Sequence, residues 1–287
     1  MSSQITTAFV QQYSNNVQML SQQKGSLLRN AVDVETVVGK NMFVDQVGSA
    51  TAVKRVSRHA STPQIDTPHQ RRRLSLVDYE YADLIDNQDK VRMLIDPTSS
   101  YAQAAAYALG RAMDDEIILA ATGNAYSGET GSTVVSLPAS QIITEAGTTG
   151  MTIDKLRQAK EILDSNSVDP SIPRYIVVGP KQISDLLGTT QITSSDFNTV
   201  KALANGEVNT FLGFNFITST RLNIGSSKRD CIAFASDGIK LGVGQDLMTR
   251  IDERADKGYA TQVYVCMSIG ASRMEEDKIV KIQAHEA

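Results

Sequence analysis

From Thr51 to Arg73 the chain carries Lys54, Arg55, Arg58, Arg71, Arg72 and Arg73 against Asp66 alone, is interrupted by Pro63 and Pro68, and offers almost no large apolar side chain. A segment of that composition has no face of its own to bury, so burial cannot offset the entropy of ordering it. The sign of the charge then reverses. Asp78, Glu80, Asp83, Asp86 and Asp89 come before Lys90, threaded through the alternating Leu74, Leu76, Tyr79 and Tyr81. Alternation is the period of a strand, and prolines belong at its tip or edge. The pattern predicts a long two-stranded excursion with a prolyl tip, extended away from the body. On a lone monomer such an excursion has little use; on an assembly a neighbouring chain can cover it.

The rest of the 287-residue chain has the content of an ordinary globular protein with one to a few domains. Ile5, Phe9, Tyr13, Val17 and Leu20 recur at helical spacing before Lys24-Gly25, which predicts an amphipathic N-terminal arm. Val37, Val38, Met42, Phe43 and Val44 surround a turn at Gly39-Lys40-Asn41. After the capping residues Asp96 to Ser99, the Ala-rich run to Ala121 contains no proline and only Gly110, and Gly123 ends it. At about 1.5 Å per residue this helix runs well over 30 Å. Its stripe of Tyr101, Ala105, Ala108, Leu109, Ala112, Met113, Glu116 and Ile117 is small-sided, so a neighbouring element packs closely along it.

Gly123 to Gly150 reads as loop and crossover, with a short strand at Thr133 to Leu137. Helix and strand then alternate. Thr152 caps a helix carrying Ile153, Leu156, Ala159, Ile162 and Leu163; Tyr175 to Val178 is a buried strand; Lys181 to Leu187 and Asp196 to Leu203 read as helices; Phe214 to Thr218 and Cys231 to Ala235 read as strands. Asp237-Gly238 predicts a hairpin between Cys231–Ala235 and Ile239–Val243. Thr261, Val263, Val265, Met267 and Ile269 share one face of a long strand, and Glu275-Glu276-Asp277 predicts a turn into a closing hairpin.

The sequence carries no catalytic constellation. His59, His69 and His285 lack metal-ligand spacing, and there is no nucleophile elbow and no phosphate-cradling loop. Gly242-Val-Gly244 reads as a turn rather than a dinucleotide motif. Cys231 and Cys266, far apart in apolar runs, read as reduced buried thiols. Asp114, Asp115 and Glu116 sit at adjacent helical positions that point different ways, so they cannot converge on one substrate atom. The residues therefore predict no enzyme, no cofactor and no metal. With 28 Lys+Arg against 32 Asp+Glu the chain is not built to grip phosphates over its whole surface. No stretch reads as a membrane span, and Met1-Ser-Ser-Gln-Ile lacks a signal peptide's features, so the chain is expected to begin its life in cytoplasm.

The order of elements, an arm, a charged β-excursion, a long helix, an α/β region and a closing hairpin, resembles the major capsid proteins of tailed double-stranded DNA bacteriophages. That α+β fold is shared with encapsulins and the herpesvirus capsid floor. The likeness covers essentially the whole chain. Locally, Tyr175-Ile-Val-Val-Gly-Pro-Lys-Gln-Ile-Ser-Asp-Leu-Leu looks like that family's strand followed by a helix. Leu203-Ala-Asn-Gly-Glu-Val-Asn-Thr-Phe-Leu-Gly-Phe-Asn-Phe-Ile-Thr-Ser looks like its passage from a helix into an axial-domain strand.

The resemblance implies an N-terminal arm at 1–31, an extended loop with flanking strands at 32–85, and a peripheral domain at 86–149 with a spine helix at 99–122. It further implies an axial domain at 150–250 and a return to the peripheral domain at 251–287. In function it implies a head protein that assembles as hexamers and pentamers into an icosahedral shell around packaged DNA, met by loose non-specific contact. It also implies a separate scaffolding protein, a portal protein, no membrane, a place in the virion and assembly in the bacterial host cytoplasm. Lys54 is a nominal cross-linking residue, but no partner Asn or catalytic Glu can be placed, so no covalent bond is expected. Arg71, Arg72 and Arg73 are expected to meet carboxylates of the next subunit, with Asp114, Asp115 and Glu116 as first choices, and Ile5, Phe9 and Tyr13 to latch onto a neighbour. The rival readings are an encapsulin-like compartment, a tail-tube protein and an α/β nucleotide-binding enzyme.

Overall fold

The structure, a computed structural model, describes residues 21–59, 61–62, 64–86, 98–144, 148–188 and 210–286. The expected arm stripe with Ile5, Phe9 and Tyr13, and the expected helix at 196–203, lie outside the described residues. In chain order the strands and helices are β1 (Asp33–Thr36), β2 (Asn41–Val47), β3 (His69–Ser75), β4 (Val77–Ile85), α1 (Thr98–Thr122), β5 (Ala125–Ser127), β6 (Thr133–Val135) and β7 (Ile142–Ile143). There follow α2 (Ile153–Ser165), β8 (Arg174–Val178), α3 (Pro180–Leu187), β9 (Thr210–Phe211), β10 (Phe214–Thr218), β11 (Ile224–Gly225), β12 (Lys228–Ala235), β13 (Ile239–Arg254), β14 (Ala260–Arg273) and β15 (Ile279–His285).

Contacts divide the chain into two compact units. One comprises Met1–Gly25, Tyr79–Arg111 and Leu247–Met267. Here alternate residues of β14, Val263, Val265 and Met267, are buried, as their alternation predicts, and Ala105 and Leu109 are buried on α1. Tyr264 donates to Glu80 across 3.2 Å, and Arg111 donates to Gln22 Oε1 and the Gln23 carbonyl, each at 3.1 Å.

The other unit comprises Ser26–Asp78, Ala112–Asp246 and Ser268–Ala287. Its main layer is a mixed sheet in the order β7-β15-β12-β8-β10-β9. β12 runs antiparallel to both β15 and β8, and β10 runs parallel to β8. The near-continuous apolar run of β12 is what a strand with buried neighbours on both sides requires. α2 begins where expected: Thr152 Oγ1 accepts from the Lys155 amide, and Leu156, Ala159 and Leu163 are buried. Lys155 turns inward, donating to the carbonyls of Thr149, Gly150 and Gln283 at 2.9 to 3.1 Å, and burial holds its pKa below the usual lysine value.

Both expected hairpins are corrected. After Asp237-Gly238 the chain does not fold back on β12; β13 joins a different sheet, ordered β1-β13-β14-β4. The charged turn at Glu275–Asp277 likewise sends β15 to pair with β12 and β7 instead of β14. The two turns are adjacent sheet-to-sheet corners. The Met274 amide donates to the Gly238 carbonyl at 2.9 Å, and Lys278 Nζ lies 2.7 Å from both Asp237 and Glu275. Gly242 and Gly244 are corrected too. They lie within β13, where a Cβ would meet Leu74 at 2.5 Å or Leu76 at 2.4 Å, so side-chain packing rather than a turn requires them.

Candidate assembly surface

The basic excursion is a β-arm. β2 and β3 pair antiparallel from Asn41↔Ser75 to Val47↔His69, and the ladder closes where the Gly48 amide donates to the Pro68 carbonyl at 2.8 Å. The expected range is thereby shifted. The described residues between 48 and 68 are the tip and carry no strand pairing, and the alternating residues after Leu74 leave the arm at Leu76 to form β4 in the other sheet. On the tip, Val56 is 93% exposed and Val53 and Ile65 are exposed as well, beside Lys54, Arg55 and Arg58.

Strand alternation splits the arginine triplet. Arg71 and Arg73 take one face: Arg71 is bonded to Asp45 in bidentate fashion and lies 5.8 Å from the Phe43 ring centre, while Arg73 lies 4.7 Å from that of Tyr126. The register places Phe43, Arg73, Tyr126 and Val134 side by side across β2, β3, β5 and β6, a partly exposed ladder. The aromatic neighbours missing from the local sequence are thus supplied by other strands. Arg72 points the opposite way and is only 3% exposed. It donates to Glu276, whose other oxygen accepts from Arg273, which is 0% exposed. Arg273 also donates to the carbonyls of Ala121 and Gly123 at the end of α1 and of Val135 on β6. Desolvation lowers its pKa from the ordinary arginine value.

The carboxylates expected to receive these arginines are engaged within their own chain. Asp114 is fully buried, and it accepts from Ser26 Oγ at 2.5 Å and from the Leu27 and Leu28 amides at 3.1 Å. Asp115 forms a bidentate pair with Arg221, and Glu116 is half-buried. A carboxylate with no exposure cannot be presented to a neighbour, so Asp114 holds residues 26–28 instead. Changing Asp114 to Ala leaves those donors unpaired, at a cost of about 1–3 kcal/mol for each that stays buried. The midpoint of urea unfolding should fall and the Leu28 amide should lose protection from hydrogen exchange. Unaltered exchange at Leu28 would refute this anchoring role.

Among the described residues no group of His, Cys, Asp and Glu could hold a metal ion, and no helix is long and apolar enough to cross a membrane. Cys231 and Cys266 are free thiols; Cys231 is buried, and burial pushes its pKa up to about 12, far from the range of a nucleophilic thiolate.

A family model described as phage capsid protein matches residues 5–286. Among solved structures, the capsid of the cyanophage P-SCSP1u superposes with a TM-score of 0.75 at 17% identity, covering 99% of this chain and 95% of that one. The capsid of Ralstonia phage GP4 superposes at 0.74 with 9% identity, covering 97% and 96%. The capsid of a native GTA particle does so at 0.71 with 13% identity, covering 98% and 96%. No curated protein sequence matches the chain.

Proposed function

Because the chain belongs to the phage capsid protein family, and so is a structural capsid protein that self-associates in a virion, we propose that it builds a closed icosahedral head from hexamers and pentamers around double-stranded DNA. The observation that carries this reading is the tip, whose described residues between 48 and 68 are almost all exposed and form no apolar face of their own, on an arm that a neighbouring copy would cover. The excess of acidic over basic residues supports loose contact with the genome, since strong phosphate contacts would retard its entry and exit. We assign the chain no catalysis. A separate scaffolding protein and a portal complete the assembly, in the host cytoplasm. We assign the arm to 1–31, the extended loop to 32–85, the peripheral domain to 86–149 and 251–278, and the axial domain to 150–250 together with β15, which pairs with β12.

The contact expected of Arg71 to Arg73 moves to the tip. Lys54, Arg55 and Arg58 of one copy meet the acidic strand β4 of the next, where Asp78 and Glu80 are exposed on an edge strand free of basic residues. Ile5, Phe9 and Tyr13 supply a second, apolar latch. Electron microscopy of the purified chain, expressed alone and with a scaffolding protein, tests the reading. Closed shells are expected, filling with DNA during infection. Open tubes, a protein cargo in place of DNA, or only small soluble oligomers would each replace this reading with one of its rivals.

A further inference from the structure

Beneath the arm lies a cavity of about 620 Å³, walled by His69, Gln70, Arg71 and Arg72 of β3 and by Ser127, Gly128 and Glu129 opposite. Its wall holds a charge imbalance. Arg72 and Arg273, both buried, share the single carboxylate of Glu276. Arg273 spends its other donors on backbone carbonyls, whereas Nε and Nη1 of Arg72 are buried without a hydrogen-bond partner. Among the described residues Arg72 is the side chain that leaves two buried polar atoms in this state. The other carboxylates near it do not remove the excess: Asp45 is held by Arg71, and Glu129 is exposed at the rim. A buried guanidinium with idle donors is costly, and native proteins supply the missing acceptor from water, an ion or a partner.

We propose that this cavity is an oxyanion site, in which a carboxylate or phosphate accepts from Arg72, with the Ser127 hydroxyl as a further donor. Arg72 is the anchor because it lines the cavity while its idle donors are closed to water, so that a turn of the guanidinium toward the cavity gives an anion a charge-assisted bond from a group already desolvated. Ser127 stands directly opposite Arg72 in the β3–β5 register, which makes it the place to install a carboxylate covalently. In the dissociated chain the ligand is a free anion. In a shell it is an acidic side chain of a second copy, a source that rests on the head-protein reading, whereas the site itself does not.

The probe is inorganic phosphate, titrated into the dissociated full chain at constant ionic strength against chloride. Thermal unfolding should shift upward and saturate with one phosphate per chain by calorimetry. Ser127→Asp should raise the unfolding temperature without phosphate and weaken phosphate binding by about tenfold or more, equivalent to about 1.4 kcal/mol. A wild-type chain that responds to phosphate no more than to chloride overturns the site, whether or not the variant folds; so does a folded Ser127→Asp chain that binds phosphate as wild type does. In assembled shells a lost phosphate response supports occupation by a second copy, and a retained one overturns that source. Shells without phosphate binding defeat the site alone, and phosphate binding without shells defeats the head-protein reading alone.

Discussion

Glu276→Gln is expected to lower the unfolding free energy of the dissociated chain by about 3–5 kcal/mol, the cost of leaving buried charge without its partner. The glutamine keeps the shape and one acceptor but removes the carboxylate that Arg72 and Arg273 share, two residues that are 3% and 0% exposed. The two guanidiniums then repel each other where water cannot screen them. A loss of that size is a large part of the roughly 5–15 kcal/mol that holds a domain folded, so the variant should accumulate poorly. It should also loosen two elements together, because Arg72 belongs to the arm and Arg273 closes the end of α1 at Ala121 and Gly123. Urea unfolding checks the magnitude. The exposed pair Arg254–Asp256 is the control, and Asp256→Asn should leave the midpoint unmoved. Equal effects from the two substitutions would show that burial does not govern the Glu276 cluster.

Reversing Lys54, Arg55 and Arg58 to glutamate is expected to abolish shells while leaving the chain folded. The described residues of the tip contribute no strand pairing, and the bonds made by Arg55 stay within the tip, to the carbonyls of Ser57 and Arg58. Its charges are therefore free of the body's stability. A single exposed ion pair contributes little, which lets misplaced subunits detach, but every subunit of a shell repeats it and the sum decides assembly. Sedimentation and microscopy should show unassembled chain with an unchanged unfolding midpoint. A second change, Asp78 and Glu80 to lysine, should restore particles if β4 is the receiving strand. Normal shells from the tip variant would sink the assignment. Reversing Arg71, Arg72 and Arg73 cannot make this test, because it sets a glutamate against Glu276 in a buried cluster and damages the fold first.

Local order was legible wherever neighbours in sequence decide it. The long helix appears at Thr98–Thr122, the cap at Thr152 and the strand at Phe214–Thr218, because propensity, capping and periodicity act over a few residues. The alternation of β14 likewise chose its buried face. What failed was inference across distance. Asp237-Gly238 and Glu275–Asp277 announce that the chain turns, but a turn signal does not name the sheet that receives the next strand, and both proved to be corners between sheets. Asp114 reads as one of an acidic run on an exposed helix face until the backbone of residues 26–28 covers it.

The basic excursion shows where the boundary lies. Composition alone marked a segment with no apolar area to offset the cost of ordering it, which holds for the described residues of the tip but not for β3, where Arg72 is buried. Composition could not say what each arginine does. Three consecutive arginines read as one patch, yet the pairing of β3 with β2 and β5 turns Arg72 inward to Glu276 and Arg71 and Arg73 outward to Phe43 and Tyr126. Those partners come from two strands and a turn spread along the chain, and only the tertiary structure decides them, because the reach of a charge or a ring is measured through space and not along the sequence.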